Sequence, residues 1–384
     1  MDYYQIEELL SPEQLLIRDS IRNFVKSDIL PIINKSAQDN KEVPDLMKKL
    51  GAIGALGPFI PEEYAGAGFD QISYGLIMQE LEFGDSAIRS AASVQSSLVM
   101  FPIYAFGSED QKRKFLPQLA SGDLIGAFGL TEPNHGSDPA GMETKLIKDG
   151  EGYRLSGAKM WITNAPICDI AVVWARDEDK KIRGVIVERS FDGFTSPETL
   201  NKWSLRASKT GELVFDNVYI PKENILPEVN SMRGPLSCLN SARYGISWGV
   251  IGAAIDCYQT ALQYAKERNQ FGKPIASYQL QQKKLAEMAT EITKAQLLSW
   301  RLGQLKNQDR ATPAQISMAK RNNVNMALEV AREARQVLGA MGIVGDYPLM
   351  RHMMNLESVI TYEGTHDIHL LITGNDITGI NAFG

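Results

Sequence analysis

The hydrophobic period of this chain changes twice, and those two changes constrain its fold more than any single residue does. Up to about Asp123 apolar residues recur at helical spacing. In PEQLLIRDSIRNFVKSDILPII, residues Leu15, Ile17, Ile21, Phe24, Val25 and Ile29 fall near one stripe with charges between them. Further helices are predicted from Asp45 to Leu50 closing at Gly51, over QISYGLIMQELEFG ending at Gly84, and across SAIRSAASVQSSLVMFPIYAFG, with Pro and Gly at the joins. From Ile125 to about Pro235 the period shortens. YRLSGAKMWITN, DIAVVWARD, RGVIVERS and ELVFDNVYI read as short strands without long helices between them, which predicts an all-β barrel or sandwich. From about Leu236 long amphipathic segments return, the last beginning at Pro313 and stopping at Gly339. At roughly 150 residues per domain a chain of 384 holds two or three. The pattern gives three: a helical domain over 1–124, a β domain over 125–235 and a second helical domain over 236–384.

Composition removes several classes of function. Forty Lys+Arg against 46 Asp+Glu leave a net charge of −6, without the basic field of a nucleic-acid binder. Cys168, Cys238 and Cys257 are too few and too scattered for a disulfide framework or a Cys-rich zinc site. The segment MDYYQIEELL reads as neither a secretory signal nor a transit peptide, and no apolar run approaches the ~18 residues of a membrane span. A soluble cytoplasmic protein is expected, or a mitochondrial matrix one in a eukaryote.

The common nucleotide signatures fail. GAIGALG at Gly51–Gly57 lacks the G-x-G-x-x-G spacing and a preceding strand; a P-loop lysine and a G-x-S-x-G elbow are absent. His366 and His369 lie three apart without an H-E-x-x-H motif, so capping or surface roles are expected rather than metal ligation. Four segments hold candidate chemistry. The loop Gly129–Asp138, GLTEPNHGSD, either presents N–H groups and hydroxyls to a carbonyl-rich ring or phosphate, or is an ordinary turn-rich connection. MWITNA places Trp161 and Thr163 on one strand face, where Trp161 either stacks on a flat cofactor or fills the core. Glu363 follows Val359, Ile360 and Tyr362 and precedes Gly364; it is either a general base with a raised pKa or a solvated turn residue. Thr365 is a good N-cap for the helix that follows, with Asp367 in its first turn. Arg89 stands among small residues two helical turns after Glu82, where it either forks onto a carboxylate or forms a surface pair.

Taken in order, FGLTEPNHGSD, KMWITNA, ERNQFGKPI, QVLGAMGI and YEGTHDIH resemble segments of the acyl-CoA dehydrogenase family, over nearly the whole chain. SVQSSLVM, CLNSARYGISWG, KRNN, MRHMMNLESV and TYEGTHDIH bring it nearest to the members that act on glutaryl-CoA. The resemblance implies an α+β architecture with a helical N-terminal domain, a central β domain and a C-terminal four-helix bundle. It also implies one FAD per subunit, a homotetramer and reoxidation by an electron-transferring flavoprotein.

Position by position, the resemblance makes Glu363 the catalytic base. Phe128, Leu130, Thr131, Gly136 and Ser137 match the loop along the flavin, and Trp161 and Thr163 the strand beside its ring. Arg268, Phe271 and Gln279 match residues that meet the FAD of a neighbouring subunit, Gln336 and Gly339 the adenine region, and Thr365 and Asp367 the pyrophosphate loop. Arg243, Ser137 and Tyr362 match substrate-binding positions; Arg89 and Ser93 match groups that hold a distal carboxylate, with Glu82 as acidic neighbour. His135 stands where small residues are usual, and Ala340 replaces a frequent glycine. The implied reaction is oxidative decarboxylation of glutaryl-CoA to crotonyl-CoA and CO2. A short- or branched-chain acyl-CoA dehydrogenase and a catalytically silent acyl-CoA-binding flavoprotein are the alternatives.

Overall fold

The computed structural model describes residues 2–383. Its first helix, α1 (Pro12–Phe24), starts at a capping box in which Ser11 and Gln14 satisfy each other's backbone N–H groups, with Pro12 in the first turn. A π-helical segment, Val25–Ile29, joins it to α2 (Leu30–Asp39). Then come α3 (Leu46–Ala52), α4 (Gln71–Gly84, capped by Asp70) and α5 (Ser86–Ser93, capped by Asp85). Helix α5 runs into a second π segment, Val94–Met100, before α6 (Phe101–Phe106) and α7 (Glu109–Ser121). The chain is buried from Gly84 to Met100 without a break. A helix buried on every side is a core element rather than an amphipathic cover, which is why its sequence shows small residues instead of a charged face.

The middle of the chain forms one mixed sheet: β1 (Gly126–Gly129), β2 (Lys145–Asp149), β3 (Gly152–Thr163), β4 (Ile170–Asp177), β5 (Ile182–Glu188), β6 (Phe194–Thr195) and β7 (Thr210–Ile220). The strand order is β1-β4-β2-β3-β7-β6, with β5 on β4. Strands β1 and β2 pair in parallel with successive stretches of β4; the other pairings are antiparallel. Both faces are covered near the site. Ala127, Ala171, Val173, Val185 and Leu213 point into the sheet's own core. Their alternates Phe128, Val172, Trp174 and Ile186 pack on Val99, Ile103 and Leu116 of the N-terminal helices.

The remainder is helical: α8 (Arg233–Glu267), a hairpin of β8 (Asn269–Gln270) and β9 (Lys273–Pro274), α9 (Gln279–Asn307), α10 (Pro313–Val337), α11 (Leu349–Val359) and α12 (His366–Thr378). Helix α10 starts at a Thr312–Gln315 capping box and stops before Gly339, whose φ of 60° ends it as the sequence predicted. Helix α8 lies against α4 so closely that a Cβ on Gly252 would sit 1.9 Å from the Gln79 carbonyl oxygen. The two predicted helices that carry π segments run on through them, an irregularity that hydrophobic periodicity does not encode.

Candidate active site

The centre of the site is the reversal between α11 and α12. After Val359 the chain turns over six residues, and Thr365 caps α12 by accepting from the Ile368 N–H at 3.3 Å. Glu363 takes φ 53° and Gly364 φ 98°. A non-glycine residue in the left-handed region costs roughly 1–2 kcal/mol, so the surroundings must hold it there. Three successive carbonyls do so through buried cations. Lys320 Nζ donates to Tyr362 O at 2.9 Å and Gly364 O at 2.8 Å, and Arg243 Nε donates to Glu363 O at 2.7 Å. The Glu363 side chain points inward. Its Oε2 is buried without a hydrogen-bond partner, and burial pushes the carboxyl pKa up against the opposing charges of Arg89, Lys320 and Arg243. The solvated-turn reading of Glu363 does not fit: the residue is half-buried and its Oε2 is buried and unsatisfied.

Facing it is Arg89 on α5. Its Nε donates to Glu82 Oε2 at 2.5 Å and its Nη2 to the Tyr362 hydroxyl. Arg89 and Glu82 are both 0% exposed, so the surface-pair reading also fails. Burial works against the guanidinium, but Glu82 and Tyr362 outweigh it and hold its pKa above the ordinary value. Space for this pair exists because α8 carries Gly249 there: a Cβ would meet Glu82 Oε2 at 2.2 Å and Arg89 Nε at 3.0 Å. Arg89 Nη1 remains buried without a partner, and the buried Ser93 hydroxyl, near the Tyr74 side chain, makes no close hydrogen bond. An unpaired buried donor of this kind costs about 1–3 kcal/mol or more, and a ligand carboxylate would satisfy it.

The residues matched to the cofactor fall in several separate segments of the fold. Phe128 is in β1 and Leu130 just after it, both with side chains in the core, so only their backbone is offered. The loop Thr131–Asp138 is fixed at its root by Glu132, which accepts from Lys159 Nζ at 2.7 Å, the Glu143 N–H at 2.5 Å and the Thr144 N–H at 3.0 Å. These partners outweigh burial and bring its pKa down to about 2. Gly136 and Ser137 at the tip are exposed. Trp161 breaks the β3–β7 register with φ 63° and is 59% exposed, so it is not core but a bare indole face; Thr163 is half-buried at the end of β3. An exposed strand aromatic in a strained conformation beside an open hydroxyl-rich loop fits a flat ring such as a flavin.

Arg268, Gln279 and Phe271 lie on or beside the β8–β9 hairpin, and Phe271 at its tip is 94% exposed with φ 51°. Gln336, bonded to Lys284 at 2.9 Å, and Gly339, open and at φ 60°, mark the end of α10. Thr365 and the exposed Asp367 stand at the N-terminus of the 13-residue α12, suited to an anion. His135 is half-buried against Gly141, and Ala340 is exposed.

Sequence reasoning missed several residues. Lys320 is 1% exposed, and burial lowers its pKa to about 7. The signal was available: it interrupts the buried stripe Ile316, Asn323, Val324, Ala327 of α10. His369, expected at the surface or in a cap, is fully buried; burial, with Lys320 and Arg243, takes its pKa down to about 2. Among the described residues no group of His, Cys, Asp and Glu could hold a metal, and no helix is long and apolar enough to cross a membrane.

Comparison with known proteins agrees with this geometry. Three domain descriptions match in order: "Acyl-CoA dehydrogenase, N-terminal domain" over residues 11–123, the middle domain over 127–218 and the C-terminal domain over 232–378. The mitochondrial short-chain specific acyl-CoA dehydrogenase of Bos taurus is 34% identical over 97% of this chain and 92% of its own. Among solved structures, a glutaryl-CoA dehydrogenase from Mycobacterium smegmatis is 50% identical with a TM-score of 0.97, covering 99% of this chain and 98% of its own. A second from the same organism, in complex with FADH2, is 46% identical with a TM-score of 0.98 over the same shares.

Proposed function

Given that the chain belongs to the acyl-CoA dehydrogenase family, we propose that it oxidises glutaryl-CoA across its α,β-bond and releases CO2 to leave crotonyl-CoA. One observation carries the choice of substrate. Arg89, fully buried and already held on two sides by Glu82 and Tyr362, keeps Nη1 unpartnered, with the buried Ser93 hydroxyl one helical turn further along α5. A pocket for a plain short acyl chain has no use for such donors, whereas a distal carboxylate accepts from both.

Within this reading Thr131–Ser137, Trp161, Thr163, Thr365 and Asp367 would hold FAD, and Arg268, Phe271, Gln279, Gln336 and Gly339 would serve the cofactor of an adjacent subunit. Bound FAD supplies the acceptor for the hydride that leaves the β-carbon. The chain's own residues do the rest. Glu363 takes the α-proton, and its raised pKa narrows the gap to that weak carbon acid. The Glu363 N–H makes no backbone hydrogen bond among the described residues and is the protein's donor to the thioester carbonyl. Lys320 and Arg243 fix the turn that presents both groups, and Arg89 orients the far carboxylate without bringing its charge to the reacting carbons. An electron-transferring flavoprotein is the expected partner for reoxidation. The exposed Phe271 hairpin supports contact with an adjacent subunit, and the homotetramer rests on the family resemblance.

A short- or branched-chain preference is the second reading, favoured by the bovine short-chain relative. Anaerobic addition of glutaryl-CoA with the flavin absorbance followed, then product mass, tests the proposal: bleaching with loss of CO2 is expected. Arg89→Ala should lose kcat/KM for glutaryl-CoA far more than for butyryl-CoA, and equal losses would reject the clamp. Glu363→Gln should keep its yellow cofactor and lose substrate bleaching; rapid bleaching by that variant would overturn the base, and a wild-type cofactor that never bleaches would favour a silent flavoprotein.

A further inference from the structure

The buried ammonium of Lys320 reaches the same peptide group that offers the Glu363 N–H. Lys320 Nζ donates at 2.9 Å to Tyr362 O, and the other end of that peptide is the N–H of Glu363. A cation hydrogen-bonded to a carbonyl oxygen draws electron density from the amide and makes its N–H a stronger donor, an effect enlarged where water is excluded. Lys320 is 1% exposed, so little water screens it. Its second bond, 2.8 Å to Gly364 O, fixes the next carbonyl but one and locks the left-handed turn at Glu363 from both sides.

We infer that Lys320 is a positioning residue which, through the Tyr362–Glu363 peptide, both aims and strengthens the N–H donor to the substrate's thioester carbonyl. The inference rests on the reading of that N–H as the donor proposed above. It assigns the lysine a task that Arg243 does not duplicate, because Arg243 Nε bonds Glu363 O and so acts on the following peptide. The surrounding charges fit the task. Burial works most against the ammonium form, Glu363 favours it, and Arg243 and Arg89 stand against it, which together lower its pKa to about 7.

The test is the carbonyl stretching frequency of a carbonyl-13C-labelled butyryl-CoA analogue that cannot be oxidised, bound to the FAD-loaded enzyme. In the wild type the band should fall below its value in water. Lys320→Gln keeps two N–H donors for the two carbonyls but no charge. Its band should return part of the way towards the free value, with kcat roughly tenfold lower and KM little changed. Lys320→Met, which keeps the stem's packing and offers no donor, should return further. A wild-type frequency in either variant overturns the inference. An unshifted band in the wild type itself would instead refute the donor role of the Glu363 N–H, so the two failures are distinguishable. Butyryl-CoA lacks a distal carboxylate, so neither result depends on the clamp.

Discussion

Gly249→Ala probes the carboxylate clamp without replacing either charged residue. The added Cβ would lie 2.2 Å from Glu82 Oε2 and 3.0 Å from Arg89 Nε, at a site where both side chains are 0% exposed. Ordinary contact needs roughly 3.5 Å, so the carboxylate must retreat by about 1 Å into a packed interior. Overpacking of this kind costs about 1–3 kcal/mol of stability. The retreat also breaks the alignment of the 2.5 Å bond that orients Arg89, and a charged hydrogen bond is worth about 1.5–3 kcal/mol. Converted at about 1.4 kcal/mol per decade, the preference for glutaryl-CoA over butyryl-CoA should fall roughly ten- to a hundredfold. The assay is the ratio of the two kcat/KM values, measured on FAD-loaded enzyme. Gly51→Ala is the control. Its Cβ would strike the Ser121 carbonyl oxygen at 2.3 Å, destabilising the packing of α3 on α7 away from the clamp, and should lower the unfolding midpoint while leaving the ratio alone. A wild-type ratio in Gly249→Ala, or an equal fall in both variants, would refute the reasoning.

Three further outcomes follow from the buried charges. Glu363 must be ionised to accept a proton, so kcat/KM should fall on the acid side through a pKa above the carboxyl's ordinary 4.5; a limb at or below that value would argue against a buried base. Glu132 has a folded pKa near 2 against 4.5 unfolded, so its stabilisation is present above pH 4.5 and drains away as pH falls towards 2. Glu132→Gln should lose that acid dependence and, with Lys159 left unpaired, unfold at clearly lower urea at pH 7. Asp85 caps α5 at the Ala87 N–H (2.7 Å) and accepts from Arg351 (2.5 Å) and Asn355 (2.9 Å) on α11. Asp85→Ala should cost about 3 kcal/mol or more in urea unfolding, and a loss under 1 kcal/mol would show the node to be slack.

The fold was readable because its signals are local. Ser11, Thr312 and Thr365 each announce a helix start through a side chain that bonds its own N-terminal turn, and β4 announces itself by an unbroken apolar run. Glu363 and Arg89 stood out for residue type and neighbours, but their burial did not, because it is created by elements far away in the chain. Arg89 meets Tyr362 across 273 positions, and nothing near Arg89 in sequence says whether water or a tyrosine lies beside it. Lys320 and Gly249 were missed for the same reason: each matters through what it touches on another helix. His369 reads as a surface residue until α8 and α10 close over it.

The strained turn at Glu363 sets stability against turnover. A carboxyl with one oxygen buried and without a hydrogen bond, carried on a left-handed backbone, is something the fold tolerates rather than prefers. Glu363→Gly would relieve the conformational and desolvation costs, at the loss of the carboxylate's attraction to Arg89, Lys320 and Arg243; a melting temperature above that of the active protein would show the relief to be the larger. In that case stability alone would not keep this residue, and selection for catalysis would.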